Sequence, residues 1–190
     1  MAKLARYDEL LPRIAAQMPA FHSGIALNAL RRAGREFFRS AEAWHPDLDA
    51  IDVVADQEDY TLVIDAPAEI KRIKAVHLKT DEDVDEGYDG RLLGSGEYSL
   101  ILPATLRFQE HYTPSAAVTD GLVVELVLFP YLMADELPDD LLERWVEPVI
   151  AWALYDLLKV QDPDLAGLHL QTYRNYLGDA QVENIEDPTP

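Results

Sequence analysis

Two hydrophobic rhythms alternate along this chain and divide it into three blocks. After Ser23, which can cap a helix, Leu27, Leu30, Gly34, Phe37, Phe38, Ala41 and Trp44 recur at three- and four-residue spacing, the period of one helix face. A shorter helix precedes it over residues 5–18, with Leu10, Leu11, Ile14 and Met18 as its apolar positions and Pro12 breaking or kinking its early part. From Pro46 the rhythm shortens to runs reading AIDVVA, DYTLVI, IKRIKAVHL, EYSLIL, TLRFQEHY and GLVVELVLFPY, separated by Asp, Gly and Pro. Such runs are strands. With no helix between them, they pair antiparallel with their neighbours. Helical spacing returns in LPDDLLERWVEPVIAWALYDLLKV, where Pro138 suits a first-turn position, and in DPDLAGLHLQTYRNYL, which Asp162 can cap with Pro163 following.

The predicted fold class is therefore α+β. Helices from residues 1–45 and 132–179 form one bundle, and residues 46–131 form an inserted antiparallel β domain. The end of the chain, GDAQVENIEDPTP, holds few apolar residues and two prolines, so residues 180–190 are expected to form an extended tail. One helix raises a question. WVEPVIAWALYDLL is apolar on more than one side, whereas a helix at the surface of a single core needs one stripe.

Charge narrows the function classes. With 35 acidic and 16 basic residues the net charge is −19, which opposes adhesion to nucleic-acid phosphates and to anionic membranes. The sign is not uniform, since residues 1–40 carry seven basic and three acidic side chains. Four of the seven, Arg31, Arg32, Arg35 and Arg39, lie on the second helix and offer either a solvated face or a charged face toward a neighbouring subunit or other partner. No cysteine is present, so disulfides, thiolate metal sites and Cys nucleophiles are excluded. No stretch has the unbroken apolar length of a membrane span or a secretion signal.

Motifs for chemistry are weak. Asp81, Asp83 and Asp85 have the alternating spacing that opens a calcium loop, yet the sixth position is Glu86 instead of glycine and the twelfth is Leu92 instead of a bidentate acid. The segment reads as a solvated hairpin tip. Gly94 and Gly96 lack the Lys-Ser/Thr pair and the helix of a phosphate loop. His22, His45, His77, His111 and His169 are scattered without ligand spacing. Asp139 and Asp140 sit where carboxylates favour a helix start. No catalytic, metal or cofactor residues are assigned, and the chain is expected not to be an enzyme.

Two stretches, LNALRRAGREFFRSAEAWHPDLDAIDVVADQEDYTLVIDAPAEIKRIKAVHL and LPDDLLERWVEPVIAWALYDLLKVQDPDLAGLHLQTYRNYL, together cover much of the chain. In their order of elements they resemble the head-tail adaptor, or connector, proteins of tailed bacteriophages, the group that includes the tail tubular protein A type. The features carrying the resemblance are a helix ending in tryptophan that runs into a first strand, a proline-started helix, the small-residue run AWALYDLL and the helix DPDLAGLHLQTYRNYL. Pro148 and Trp152 fall inside the small-residue helix and put its straightness in question.

The resemblance implies a structural virion protein at the head-tail interface, assembled in the host cytoplasm. It implies a homo-oligomeric ring of twelve copies beneath the portal protein, a platform for tail or nozzle proteins, and a channel through which DNA passes without specific binding. On that reading Trp145, Val149, Trp152 and Leu157 divide between the bundle and two neighbouring subunits, because head-to-tail contacts use two different patches. The tail would dock into the portal through Val182 and Ile185. Neither a cofactor nor a membrane is implied. A capsid-completion or tail-terminator ring shares the same oligomeric logic, and a metal-dependent hydrolase on the β scaffold is the alternative from another class.

Overall fold

The computed structural model of the chain describes residues 3–79 and 90–186, the last three by their backbone alone. The acidic segment Asp81 to Asp89, read above as a solvated tip, lies outside the described residues. The fold class is α+β with antiparallel sheets. Two compact units share the chain: a helical one of Met1–Trp44, Asp65–Ala68 and Phe129–Pro190, and a β unit of His45–Ile64 and Glu69–Leu128. Each holds its own core.

In the helical unit, β1 (Leu4–Arg6) leads through a 3₁₀ turn, Tyr7–Leu10, into α1 (Leu11–Gln17), with Pro12 in its first turn. Pro12 therefore starts a helix instead of kinking one, since its missing N–H is unused there. Next comes α2 (Ser23–Ala41), whose buried residues Ala26, Ala29, Leu30, Ala33, Gly34, Phe37, Phe38 and Ala41 form one stripe. Ser23 is its first residue and not its cap. That position belongs to His22, whose carbonyl accepts the N–H groups of Ile25 and Ala26 at 3.0 Å. The helix stops at Ala41 because Glu42 turns left-handed (φ 55°), its N–H bonding to Phe38 O at 3.1 Å. Trp44 lies beyond the helix and still packs on Phe38, ring centroids 6.1 Å apart.

The C-terminal half departs from the predicted pattern in three places. Pro138 is not in a first turn. It closes β9 (Glu136–Pro138), which pairs antiparallel with β1. The long apolar helix is two, α3 (Asp139–Arg144) and α4 (Val146–Leu158), meeting at Trp145. Pro148 accounts for the break, since in a continuous helix its ring would strike the carbonyl of Arg144, four residues back, and it has no N–H to offer that carbonyl. The third difference is at the end of the chain. Residues expected to be extended from 180 continue α5 (Pro163–Glu186).

Asp162 caps α5 as predicted, accepting Leu165 N at 3.0 Å. Ala166, Tyr173 and Ala180 are the buried residues among its described side chains, one every seven positions. That stripe carries the helix past Gly178. Gln181 Nε2 donates to Ser40 O at 3.1 Å, and Arg144 pairs with Glu183 at 2.5 Å. Packing thus overrides the weak helical propensity of the segment.

The apolar helix α4 lies against both α2 and α5 and also touches α1. Its buried residues Val149, Ile150, Ala151, Ala153, Leu154 and Leu158 accordingly face several directions. Within its own chain the helix already has more than one neighbour.

The β unit holds two sheets. β2 (Ile51–Val53), β4 (Ala68–Leu78), β5 (Arg91–Leu92) and β8 (Val118–Pro130) form one in the order β2-β8-β4-β5, while β3 (Asp59–Thr61), β6 (Tyr98–Ile101) and β7 (Thr105–Phe108) form the other in the order β3-β7-β6. The run after Phe108, expected to remain a strand, becomes a 3₁₀ turn at Glu110–Tyr112. Tyr60, Leu106 and Phe108 are buried together, the rings of Tyr60 and Phe108 meeting edge to face at 5.6 Å.

Gly34 sets the approach of the N-terminal segment to α2, because a Cβ there would overlap the hydroxyl and ring of Tyr7. The Tyr7 hydroxyl is buried without a hydrogen-bond partner, and burial pushes its ionisation well above the ordinary tyrosine value. Gly34→Ala is therefore expected to lower stability by about 1–3 kcal/mol in urea denaturation. Tyr7→Phe alone changes stability by less than about 1 kcal/mol and returns part of the loss when added to Gly34→Ala. Equal stability of Gly34→Ala and the parent would contradict this packing.

Candidate functional site

The four apolar residues predicted to divide between bundle and neighbours separate in the structure. Trp145 is buried, its ring 5.2 Å from that of Phe37 and under the Arg144 guanidinium at 5.1 Å. Val149 is fully buried. Both belong to the chain's own core. Trp152 and Leu157 are half-buried, and Trp152 meets Tyr155 edge to face at 6.4 Å. These two are the members of the set with surface left to offer.

Arg31, Arg32 and Arg35 of α2 are engaged within the helical unit. Arg31 pairs with Asp135 and donates to Asn28 Oδ1 at 3.0 Å. Arg32 pairs with Asp156 at 2.5 Å, a carboxylate only 7% exposed that also holds Lys159 at 2.7 Å. Arg35 donates to Pro130 O at 2.7 Å and lies 4.6 Å from the centre of the Phe129 ring. Arg39 also has an interaction of its own. Arg31, Arg32 and Arg35 tie α2 to Asp135, Asp156 and Pro130, a use that residue spacing could not show because these three partners are distant in sequence.

Val182 is 51% exposed on α5, and Ile185 belongs to the same helix by its backbone. Among the described residues no three His, Asp or Glu side chains converge as metal ligands. His77 lies 3.8 Å from Glu125, and the pKa of His169 is lowered from its ordinary value by partial burial. No described helix is long and apolar enough to cross a membrane.

Two surface features had no counterpart in the sequence reading. An open cleft of about 430 Å³ is lined by Pro67, Tyr131, Met133, Ala134, Asp135 and Glu136. Its carboxylates already face cations, Asp135 facing Arg31 and Glu136 facing Arg6 at 3.9 Å. Beside it Tyr131, Leu132 and Met133 are exposed in succession. The other feature is the edge strand β6, which carries no charged residue. Neither holds a metal-ligand set among the described residues. What the surfaces can do chemically is dock apolar and main-chain groups.

Comparison with known proteins adds no relative, since no protein-family model matches the chain and no curated protein matches it.

The two arginines with different surroundings should respond differently to truncation. Arg35→Ala removes a bond to a backbone carbonyl and a stacked ring contact, and is expected to cost about 1–3 kcal/mol. Arg32→Ala leaves Asp156 its contact with Lys159 and is expected to cost within about 1 kcal/mol. Urea denaturation of the two variants measures the difference. An unchanged Arg35→Ala protein would contradict a stabilising role for the Pro130 and Phe129 contacts.

Proposed function

We propose that this chain is a structural subunit of a tailed-phage virion, a head-tail adaptor that joins the portal to the tail and continues the DNA channel. The observation carrying this reading is the organisation of the chain: a helical bundle drawn from both ends, split by an antiparallel β unit, in the order that the adaptor-like stretches suggest. Twelve copies form the ring at the head-tail interface, assembled in the host cytoplasm, with the portal on one side and tail or nozzle proteins on the other.

Other features support the reading without being specific to it. Trp152 and Leu157 keep partly open apolar surface that head-to-tail neighbours would cover. A net charge of −19 suits a wall past which DNA slides, since carboxylates repel phosphates. The role assigned is not enzymatic and uses no cofactor. The end of α5 is the segment given to the portal, with Val182 and Ile185 as anchors. Because that segment is helical in the chain alone, docking uses either its exposed face or a rearranged form.

Native mass spectrometry of the chain mixed with its portal protein tests the reading. A closed ring of adaptor copies on the portal is expected, and a strictly one-to-one monomeric complex contradicts it. Val182→Asp is expected to leave the circular-dichroism spectrum unchanged and to weaken portal attachment in co-sedimentation. Undiminished attachment would remove Val182 from the docking surface.

A further inference from the structure

The edge of β6 carries an inference of its own. Gln109 N donates to Glu97 O at 2.9 Å, and bonded pairs in an antiparallel ladder alternate. Ser99 and Ile101 therefore exchange bonds with Arg107 and Thr105, their partners in the register, while Tyr98 and Leu100 do not. The other side of β7 gives the same parity, because Phe108 N donates away from β6, to Glu58 O at 2.9 Å. The N–H and C=O groups of Tyr98 and Leu100 thus point to the outer edge, where no described strand pairs with them.

The other outer strands of the two sheets are guarded. β3 carries Asp59, whose carbonyl already accepts Gln57 Nε2 at 2.7 Å, β5 carries Arg91, and β2 carries Asp52 and a shift of register. Charges and bulges are the usual protection of a sheet edge. β6, reading YSLI, has neither charge nor proline. Its core-facing side chains are also incompletely covered. Tyr98 and Leu100 are half-buried, whereas Phe108 and Leu106 opposite them are 1% and 0% exposed.

We propose that β6 pairs antiparallel with β6 of a second copy of this chain, about a twofold axis at Ser99. The parity permits it, since Tyr98 then lies opposite Leu100 of the second copy with both sets of main-chain groups directed across the join. Ser99 faces its own counterpart in a close, non-bonded pair, and Tyr98 and Leu100 of the two copies cover one another's core-facing surface. Charge selects the same place. Two chains of net charge −19 repel through most of their surfaces, and the four residues of β6 bring no like charges together. Glu97 at its end is already held by Arg91 at 2.9 Å.

The absence of cysteine makes the register directly testable with single introduced thiols in the full chain. A Ser99→Cys substitution places two thiols across a pair whose Cα separation of about 4.5 Å lies within the range a disulfide spans. Ser95 lies in the turn before β6, closed by Glu97 N donating to Gly94 O at 2.9 Å, outside the paired residues, so the same register does not set it opposite its own counterpart. Mild oxidation should give a covalent dimer for Ser99→Cys and not for Ser95→Cys. Sedimentation equilibrium of the parent chain over a dilution series should show a reversible dimer, and Ser99→Lys, its fold checked by circular dichroism, should lose it. A parent chain that stays monomeric throughout, a dimer that persists in Ser99→Lys, or equal cross-linking at 99 and 95 overturns the proposal. These readings are made without a portal, so a negative result here leaves the ring reading to its own test.

Discussion

The helical unit depends on one contact, the packing of Phe37 of α2 against the C-terminal helices. Its ring lies 5.2 Å from Trp145 and 6.3 Å from Tyr173, and 5.4 Å from Phe38 beside it. Trp145 marks the junction of α3 and α4, and Tyr173 is the central residue of the buried stripe of α5. Helix α2, the α3–α4 junction and α5 therefore meet at one side chain. Because about 100 residues separate Phe37 from Trp145, the contact closes a long stretch of chain, at an entropic cost that grows only slowly with length. The chain can therefore leave the helical unit for the β unit and return at little added entropic cost, with the tilted Phe37–Trp145 pair and the edge-to-face Phe37–Tyr173 pair joining its two ends.

Elements whose partners are implicit in their own pattern were legible in the sequence. The stripe of α2 and the cap at Asp162 follow from local spacing and side-chain chemistry, and antiparallel pairing follows from strands joined without helices. Features set by remote contacts were not legible. β1 and β9 are three residues each and exist because they pair across the whole chain. The end of α5 lacks a strong helical sequence and is held by Ala180, Gln181 and Glu183 against α2 and α3. The break at Trp145 was partly readable, since Pro148 flagged it, but its position three residues earlier follows from where the proline ring would strike.

The same division applies to the candidate surfaces. Arg31, Arg32 and Arg35 looked available for a partner because a helix face shows nothing of distant carboxylates and carbonyls. In the structure they join α2 to Asp135, Asp156 and Pro130. Trp145 and Val149 are likewise spent on the core, leaving Trp152, Leu157 and Val182 as the apolar groups of that reading with surface to give. The uncharged edge of β6 was invisible in sequence, since a strand's place in a sheet, central or outer, is decided by its neighbours and not by its own residues.

All three tryptophans, Trp44, Trp145 and Trp152, belong to the helical unit, so their fluorescence reports its unfolding apart from the β unit. Urea titration of Phe37→Ala followed by that signal tests the central claim most directly. Closure of the bundle through Phe37 predicts a loss of about 3–5 kcal/mol, the range for removing a fully buried aromatic ring. A loss below about 1 kcal/mol would show that the two ends of the chain are held together by something other than this contact.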